Sequence, residues 1–419
     1  MDPGSKYPDR LISKKDNGRR EGFYMKYRKN RYGEDISVLG YGCMRFTSNI
    51  RGIDIDKAEK ELLAAYNNGV NYFDTAYIYT GSEAALGQIL ERNGIRDKVN
   101  IATKLPQYLI SSQSALNRYF NESLKRLRTD YVDYYLMHHI TARNQWEKLI
   151  SLGITDWIQT KKAEGRIRNI GFSYHGNSED FIDILNAYDW DFCQIQYNYI
   201  DEHSQAGREG LMAAAEKGVP VIIMEPLRGG KLVNLLPEKA KALIASQKTG
   251  YSPAEYGLRW LWDQPQVTCV LSGMNSLEMV EENCRIASEA EEGCLSGEDL
   301  KVIDEVKEII KETELVGCTA CRYCMPCPKG VDIPGIFRCY NMTSIDGKTA
   351  ARFEYAQSIG LKKEPAFASQ CTGCGKCEQH CPQSIPIREK LKEADRTLRP
   401  LPYKIGISVA RKFMLRNGS

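Results

Sequence analysis

The sequence predicts an α/β fold, a closed (β/α)8 TIM barrel followed by a small α-helical domain. From Ile36 to about Ala287, short apolar runs rich in β-branched residues alternate with turns and amphipathic helical stretches. Eight strands alternating with helices over about 250 residues is the count expected of a closed parallel barrel. Beyond this region, eight cysteines form two short runs, which indicates a second, metal-binding domain.

The predicted strands are short and mostly apolar: Val38–Cys43, Val70–Thr75, Val99–Thr103, Val132–Met137, Ile167–Phe172, Phe192–Gln196, Val219–Met224 and Val267–Leu271. Amphipathic stretches such as Asp56–Asn68 and Ser114–Leu127 lie between them and predict helices. A doubly wound open sheet is the competing fold, but no GxGxxG motif follows the first strand. The barrel is therefore favoured.

The two cysteine runs have the spacing of iron–sulfur ligands. Three cysteines at i, i+3 and i+6 can bind one corner of a cube, and a fourth beside a proline reaches the neighbouring cube. The second run fits the bacterial ferredoxin spacing throughout, and the first is one residue short before its last cysteine. Structural zinc or disulfides are the alternatives, but a zinc site does not account well for two runs that each end in Cys-Pro. We predict two [4Fe-4S] clusters, one bound by Cys318, Cys321, Cys324 and Cys381, the other by Cys371, Cys374, Cys377 and Cys327.

Composition narrows the class of protein further. With 42% hydrophobic residues, no apolar run of membrane-spanning length and no secretory signal, the 419-residue chain is expected to be cytoplasmic, where its 14 cysteines stay reduced. Both ends are basic: residues 1–31 carry ten Lys/Arg against four Asp/Glu, and residues 388–419 carry nine against three. Nucleic acid is not an expected partner, because these ends lack interleaved aromatics and a binding motif.

Four parts follow from these patterns. Residues 1–24 are expected to be an extension that either derives from an expression vector or is disordered. Residues 25–312 are expected to form the barrel. Residues 313–400 form the two-cluster domain, whose long spacer indicates helices, and residues 401–419 form a basic tail.

Polar residues stand at the ends of three successive predicted strands, and in a barrel these ends meet at one mouth. Asp74 and Tyr79 follow strand 2, Lys104 ends strand 3, and His138 ends strand 4. An ammonium beside a phenol lowers its pKa, and a carboxylate holds that ammonium in place. A histidine can orient a substrate oxygen. Such a site can protonate a carbonyl oxygen while a hydride reaches the carbon.

Residues 25 to about 312 resemble the aldo-keto reductase family in three motifs: Asp74-Thr-Ala-x-x-Tyr79, the strand-ending Lys104, and Asp133-Tyr-Tyr-Leu-Met-His138. The resemblance implies that Tyr79 is the general acid, that Lys104 tunes it, that Asp74 pairs with Lys104, and that His138 orients the carbonyl. His139 is expected to point the other way along the strand and to be structural.

The resemblance also implies a nicotinamide nucleotide, NAD(P)H, at the mouth. Its contacts would be Ser173, Gln194, Leu227, Gly229, Gly230, Lys231, Ser272, Gly273 and Asn283. Three positions depart from the family: Tyr174 replaces an asparagine, Met224 a stacking tyrosine, and Met279 an arginine that binds a 2′-phosphate. The choice between NADP and NAD stays open, and so does a flavin in place of nicotinamide.

The sequence resembles a subgroup in which the reductase is followed by a two-cluster, ferredoxin-like domain. The first hypothesis is reduction of a small carbonyl, or oxidation of an alcohol, with NAD(P)H, the clusters serving electron transfer or structure. In the second, a ferredoxin or flavodoxin-type carrier feeds electrons through the clusters to a barrel-bound flavin or substrate, because nicotinamide moves two electrons and a cluster one. The third is a non-catalytic electron relay on a barrel scaffold.

Overall fold

The computed structural model describes residues 24–50, 52–313, 315–318, 322, 324–362, 364–381 and 384–416. Except for Tyr24, the predicted extension of residues 1–24 lies outside them. Contacts between residues divide the chain into two compact units. The first unit runs to Gly229 and resumes over Glu255–Ser296, and the second contains Gly230–Ala254 and continues from Gly297.

The first unit is a closed barrel of eight parallel strands, as the sequence predicted. The strands are β1 (Leu39–Gly42), β2 (Tyr72–Asp74), β3 (Asn100–Leu105), β4 (Val132–Ile140), β5 (Ile167–Tyr174), β6 (Phe192–Gln196), β7 (Val221–Met224) and β8 (Val267–Ser272). The strands hydrogen-bond in chain order, and β8 closes onto β1 through the Val270↔Leu39 register. Two antiparallel ribbons, Tyr27–Lys29 with Asp35–Ser37 and Ser48–Asn49 with Gly52–Ile53, precede the first helix.

The helices between and after the strands are α1 (Ile55–Asn67), α2 (Ser82–Arg92), α3 (Gln113–Leu127), α4 (Arg143–Ser151), α5 (Ile154–Ala163), α6 (Ser178–Ala187), α7 (Gly207–Glu216), α8 (Lys231–Asn234), α9 (Glu238–Ala245), α10 (Pro253–Trp262), α11 (Leu277–Ser288), α12 (Gly297–Lys311), α13 (Ile333–Ile345), α14 (Lys348–Tyr355), α15 (Lys376–Gln379), α16 (Ile387–Leu398) and α17 (Leu401–Arg416). Side chains fix several of their starts. Asp54 caps α1, Ser112 caps α3 and Asn177 caps α6, each accepting a hydrogen bond from a first-turn backbone N–H.

Aromatic rings from alternate strands fill the inside of the barrel. Tyr72 of β2, Tyr134 of β4 and Phe192 of β6 pack edge to face with 5.0 Å between successive ring centroids. Alternate strands contribute to the same layer of a barrel of this kind, which is why these three side chains meet. Asn30, in the N-terminal ribbon, donates a hydrogen bond to the Tyr134 hydroxyl at 3.0 Å. The interior is therefore a packed core, and the ends of the strands are where ligands can bind.

The second unit is helical and has its own apolar core. Helices α13, α14 and α16 pack around buried residues that include Phe337, Tyr355 and Leu391. The predicted basic tail forms α17, whose Arg411 donates hydrogen bonds to the carbonyls of Gly360 and Lys362. No helix among the described residues is both long and apolar enough to cross a membrane.

Contacts group α9 and α12 with this second unit, whereas the sequence placed both inside the barrel limits of residues 25–312. The two helices pack on each other, and Lys239 pairs with Glu312 at 3.0 Å. A boundary drawn along the chain cannot separate Gly230–Ala254 from the barrel, because that segment is inserted between β7 and β8. The domain limits remain a prediction.

Candidate active site and iron–sulfur ligands

The four predicted catalytic residues lie together at the C-terminal ends of adjacent strands. Asp74 ends β2, Lys104 lies in β3 and His138 lies in β4. Tyr79 follows β2 in a turn that is fixed by a hydrogen bond from its backbone N–H to the Ala76 carbonyl, 3.0 Å long. Parallel pairing places three of the side chains on one edge, and this turn brings the fourth to them.

Lys104 and Asp74 form a buried ion pair. The Lys104 Nζ lies 2.6 Å from Asp74 Oδ1 and 2.7 Å from the Thr75 carbonyl oxygen, and 1% of the lysine is exposed. Burial alone would lower the pKa of Lys104, but Asp74 and Tyr79 outweigh it and raise that pKa above its ordinary value. The ammonium is therefore charged and held in one place.

Tyr79 is held in its protonated form. Its ring centroid lies 5.0 Å from Lys104 Nζ, and the lysine hydrogen-bonds to its side chain. The sequence led us to expect a lowered pKa. Burial raises the pKa of Tyr79, and the opposing effect of Lys104 only reduces that rise. The predicted lowering by Lys104 is present, but burial outweighs it, and burial depends on packing around the ring that a strand-end motif does not encode.

His138 is neutral. Its ring meets that of Tyr79 edge to face at 6.0 Å between centroids, and 6% of the residue is exposed. Burial first, and then the positive charge of Lys104, hold the pKa of His138 well below its ordinary value. Its Nδ1 has no hydrogen-bond partner among the described residues. A neutral imidazole can hydrogen-bond to the same substrate oxygen as the neighbouring phenol without adding a charge.

A bulge near the end of β4 decides where His139 lies. The register with β5 shifts between Met137 and Ile140, and His139 has a φ of +58°. Its backbone N–H donates to Ser173 Oγ at 2.8 Å, and its ring stacks on His175 with 4.6 Å between centroids. Simple strand alternation predicted a residue that points away. The bulge breaks that alternation and places His139 against His175, and both lie near the catalytic His138.

Two predicted nicotinamide contacts offer polar groups suited to a carboxamide. Gln194 is buried and donates from Nε2 to Asp74 Oδ2 at 3.3 Å, while its Oε1 has no partner among the described residues. The hydroxyl of Ser173 is buried nearby on the adjacent strand, opposite Gln194 in the β5–β6 register. The unpaired oxygen of Gln194 can accept a hydrogen bond from the N–H of a carboxamide, and the hydroxyl of Ser173 can donate one to the carboxamide oxygen. Tyr174, which replaces the family's asparagine, instead donates to the Asn177 carbonyl at 2.7 Å.

The loop after β7 provides left-handed backbone. Gly229 and Gly230 have φ values of +66° and +85°, and the preceding Arg228 also has a positive φ. Successive residues of this kind turn backbone N–H groups toward one side, which suits an anionic ligand. Leu227 packs closely against Gly257, where an added Cβ would lie 2.5 Å from the leucine Cδ2.

The cations of this loop are engaged with carboxylates. Arg228 contacts both oxygens of buried Asp201, with Nε at 2.9 Å from Oδ2 and Nη2 at 3.0 Å from Oδ1. Lys231 belongs to the second unit and pairs there with Asp346 at 3.4 Å. The phosphate contact of Lys231 stays a prediction.

The predicted adenosine contacts meet after β8. Asn283 in α11 donates from Nδ2 to Ser272 Oγ at 3.0 Å. Gly273 packs against Arg45, whose Cδ would lie 2.6 Å from a Cβ at the glycine. Met279, at the family's arginine position, is exposed and brings no charge to bind a 2′-phosphate.

Two charged residues at the mouth received no role from the sequence. Arg45 follows β1 and pairs with Glu225, which follows β7, at 3.6 Å. Their positions at strand ends were the available signal, because every strand end of a barrel faces the same mouth. His175, which follows β5, carried the same signal.

The second cysteine run and Cys327 line one cavity of about 320 Å³, together with Cys324. Cys371, Cys374 and Cys377 are therefore near both Cys327 and Cys324, which the sequence assigned to different clusters, so the crossed assignment stays a prediction. Cys318 and Cys381 pack against the apolar core of the same helical unit. Cys321 lies outside the described residues. Among the described residues, no three His, Cys, Asp or Glu side chains converge as on a single ion; thiolates around a four-iron cube are spread over a larger body.

The barrel with its polar mouth, followed by cysteines with cluster spacing, defines an oxidoreductase of the (β/α)8-barrel class. The model of the aldo/keto reductase family matches residues 38–308, and that of the 4Fe-4S dicluster domain matches residues 317–385. The chain belongs to the aldo/keto reductase family and carries a 4Fe-4S dicluster domain after its barrel. It is therefore an enzyme, as predicted.

Relatives of the barrel alone are numerous. The uncharacterized oxidoreductase YrpG of Bacillus subtilis is 26% identical over 66% of this chain and 94% of that protein. L-galactose dehydrogenase of Arabidopsis thaliana is 28% identical over 67% of this chain and 93% of the other. Among solved structures, the holo form of aldo-keto reductase AKR11C1 from Bacillus halodurans has a TM-score of 0.57 at 27% identity, covering 68% of this chain and 96% of that one. An aldo-keto reductase from Klebsiella pneumoniae, solved with NADPH, shares the fold at 23% identity, with a TM-score of 0.56 over 68% of this chain and 95% of that one.

Proposed function

We propose that the barrel reduces a small carbonyl compound, or oxidises the corresponding alcohol, with NAD(P)H, and that the C-terminal domain carries two [4Fe-4S] clusters. One observation carries the proposal: a protonated, buried phenol contacts the ammonium of a buried lysine–aspartate pair beside a neutral histidine. This combination suits proton transfer to an oxygen that becomes negative.

Each residue has one part in this reaction. The Tyr79 hydroxyl donates its proton to the carbonyl oxygen, and Lys104 stabilises the phenolate that remains. Asp74 keeps the ammonium in position, and His138 orients the carbonyl oxygen by a hydrogen bond. A reduced nicotinamide supplies the hydride when bound, and Ser173 and Gln194 would hold its carboxamide. The direction of the reaction depends on the substrate pair supplied.

The role of the clusters is the second part of the proposal. Bound clusters would supply or accept single electrons, and Cys374 at the cavity is exposed, which favours exchange with an external one-electron carrier over a purely structural role. The cysteine-lined cavity thus keeps the ferredoxin-linked hypothesis as a second candidate. The relay without catalysis is disfavoured, because the chain is a member of an enzyme family.

An anaerobic titration of the purified protein with NADH and with NADPH tests the first part. We expect saturable binding of at least one nucleotide, seen as enhanced nicotinamide fluorescence, and bleaching of the cluster absorbance if the two halves exchange electrons. If neither NADH nor NADPH binds, the proposal is contradicted. Flavin released on denaturation would support the ferredoxin-linked candidate instead.

Serine substitutions of single ligands test the crossed cluster assignment. We expect Cys327→Ser and Cys374→Ser to perturb the same cluster signal in the EPR spectrum of the reduced protein, and Cys318→Ser and Cys381→Ser to perturb the other. The reason is that the last cysteine of each run binds the cube of the other run. Exposed Cys294 lies outside both runs, so Cys294→Ser is the control and should leave about eight irons per chain. If Cys327→Ser perturbs the signal that Cys318→Ser perturbs, the assignment is wrong.

A further inference from the structure

Arg45 contacts both the loop after β7 and the loop after β8, where the nucleotide contacts were predicted. Its stem lies against Gly273, with Cδ 2.6 Å from the position of an added Cβ. At its other end, Nη2 lies 2.5 Å from the corresponding position at Gly229. Both neighbours are glycines, so the side chain lies directly on backbone. A larger side chain at either position would displace the guanidinium.

The ion pair that holds Arg45 is weak compared with the other pairs around this loop. Arg45 Nη2 is 3.6 Å from Glu225 Oε1, and 45% of the arginine side chain and 38% of the glutamate side chain are exposed. Arg228, in contrast, makes two hydrogen bonds of 2.9 and 3.0 Å to a carboxylate that is almost completely buried. A partly exposed pair without close contact gains little from its charges, since water and salt screen them. Arg45 can therefore leave Glu225 at small cost.

The ion pair of Arg45 and Glu225 lies near the catalytic residues. Glu225 follows Met224, the last residue of β7, and its charge contributes to raising the pKa of Tyr79. Gly42, at the end of β1, is so close to the end of β8 that an added Cβ would lie 3.4 Å from the Ser272 carbonyl oxygen. Gly273, against which Arg45 lies, directly follows Ser272, so a ligand that reached from the tetrad to Ser272 and Asn283 would lie near Arg45.

We propose that Arg45 is a ligand of the nucleotide's diphosphate and that Glu225 holds it in place until the nucleotide binds. A guanidinium binds phosphate oxygens through paired, charge-assisted hydrogen bonds, which are stronger than an exposed ion pair. Arg45, whose pair with Glu225 is long and partly exposed, thus supplies a positive charge that Arg228, held by two close hydrogen bonds to a buried carboxylate, does not offer. Glu225 competes with the diphosphate for the same guanidinium. This inference rests on the proposed function, because it assumes that the mouth binds a nucleotide.

The competition predicts effects of opposite sign for the two partners. Arg45→Gln should weaken the binding of NADH and NADPH by about 10-fold or more, since a charge-assisted contact to phosphate is lost. Glu225→Gln should tighten binding by about two- to five-fold, because Arg45 is then released from its competitor. Arg45→Lys should restore part of the affinity, since it returns the charge without the planar fork.

Equilibrium binding to the full-length, cluster-loaded protein is the measurement. The main probe is ADP-ribose, which carries the diphosphate without a nicotinamide ring, so that its binding does not depend on turnover or on the stacking position. Arg128→Gln is the matched control, because Arg128 is 44% exposed and also pairs with a glutamate. It follows α3 and precedes the start of β4, whereas the predicted nucleotide contacts lie toward or after the C-terminal ends of strands. We expect it to change no affinity.

The outcomes separate this inference from the proposed function. If the wild-type protein binds none of the three nucleotides, the proposed function fails. If the wild type binds them and Arg45→Gln leaves the affinity unchanged, Arg45 is not a diphosphate ligand. If Arg45→Gln and Glu225→Gln weaken binding equally, the pair only supports the two loops and the inference is overturned. Circular dichroism and iron content show in each case that the variant has folded.

Discussion

Replacing Tyr79 with phenylalanine is expected to lower kcat for carbonyl reduction by about 100- to 10,000-fold, the range that general acid catalysis contributes. The substitution removes one hydroxyl and leaves the ring between Lys104 and His138. Because the lost group acts only when the oxygen gains its proton, the Kd of the nicotinamide nucleotide should stay the same. Single-turnover oxidation of bound NAD(P)H measures the chemical step, and an equilibrium titration measures binding.

Tyr77→Phe is the control for that experiment. Tyr77 lies two residues away in the same turn, but its ring packs against Tyr119 at 4.9 Å between centroids and lies under the guanidinium of Arg126 at 4.2 Å. Its hydroxyl has no part in the proposed reaction, so kcat should be unaffected. Equal activity of Tyr79→Phe and wild type would show that the proton comes from another group, and His138 would be the next to test.

Replacing Lys104 with methionine is expected to destabilise the barrel by about 3 to 5 kcal/mol and to abolish catalysis. Among the residues that the structure describes, the change leaves the buried carboxylate of Asp74 with one hydrogen bond, from Gln194 at 3.3 Å. The double variant Asp74→Asn, Lys104→Met should recover most of the lost stability and none of the activity, because it removes the uncompensated charge but not the need for an ammonium.

Unfolding in urea, followed by tryptophan fluorescence under anaerobic conditions, measures this effect in the barrel. All five tryptophans lie in the barrel unit, so the signal reports that unit. Lys161→Met serves as the control, since Lys161 pairs with a glutamate that is 41% exposed, and we expect a change below about 1 kcal/mol. A double variant as unstable as Lys104→Met would mean that packing, and not charge, accounts for the loss.

Local pattern was enough for the barrel because each strand and helix carries its own signal. The short apolar runs of the strands, the turn residues and the helical spacing repeat eight times, and eight strands alternating with helices is the count expected of a closed barrel. The same logic brought Asp74, Lys104 and His138 to one mouth, since parallel strands all end on one face. Cysteine spacing identified the dicluster domain, because four ligands close together in sequence are also constrained in space.

Packing between distant segments decided the rest. The bulge that turns His139 toward His175 comes from the register between β4 and β5, which no residue in β4 specifies alone. Burial, not the neighbouring lysine, sets the direction of the pKa of Tyr79.

What the sequence by itself determined is the set of elements and the chemical groups at their ends. Apart from the pair of Asp74 and Lys104, which the family resemblance implied, only the tertiary structure decided which groups pair and how strongly. The partner of a charge and the amount of water around it depend on segments far apart in the chain. Arg45 is the clearest case: a sequence shows an arginine after a strand, and the fold shows it lying between two loops, weakly held by Glu225.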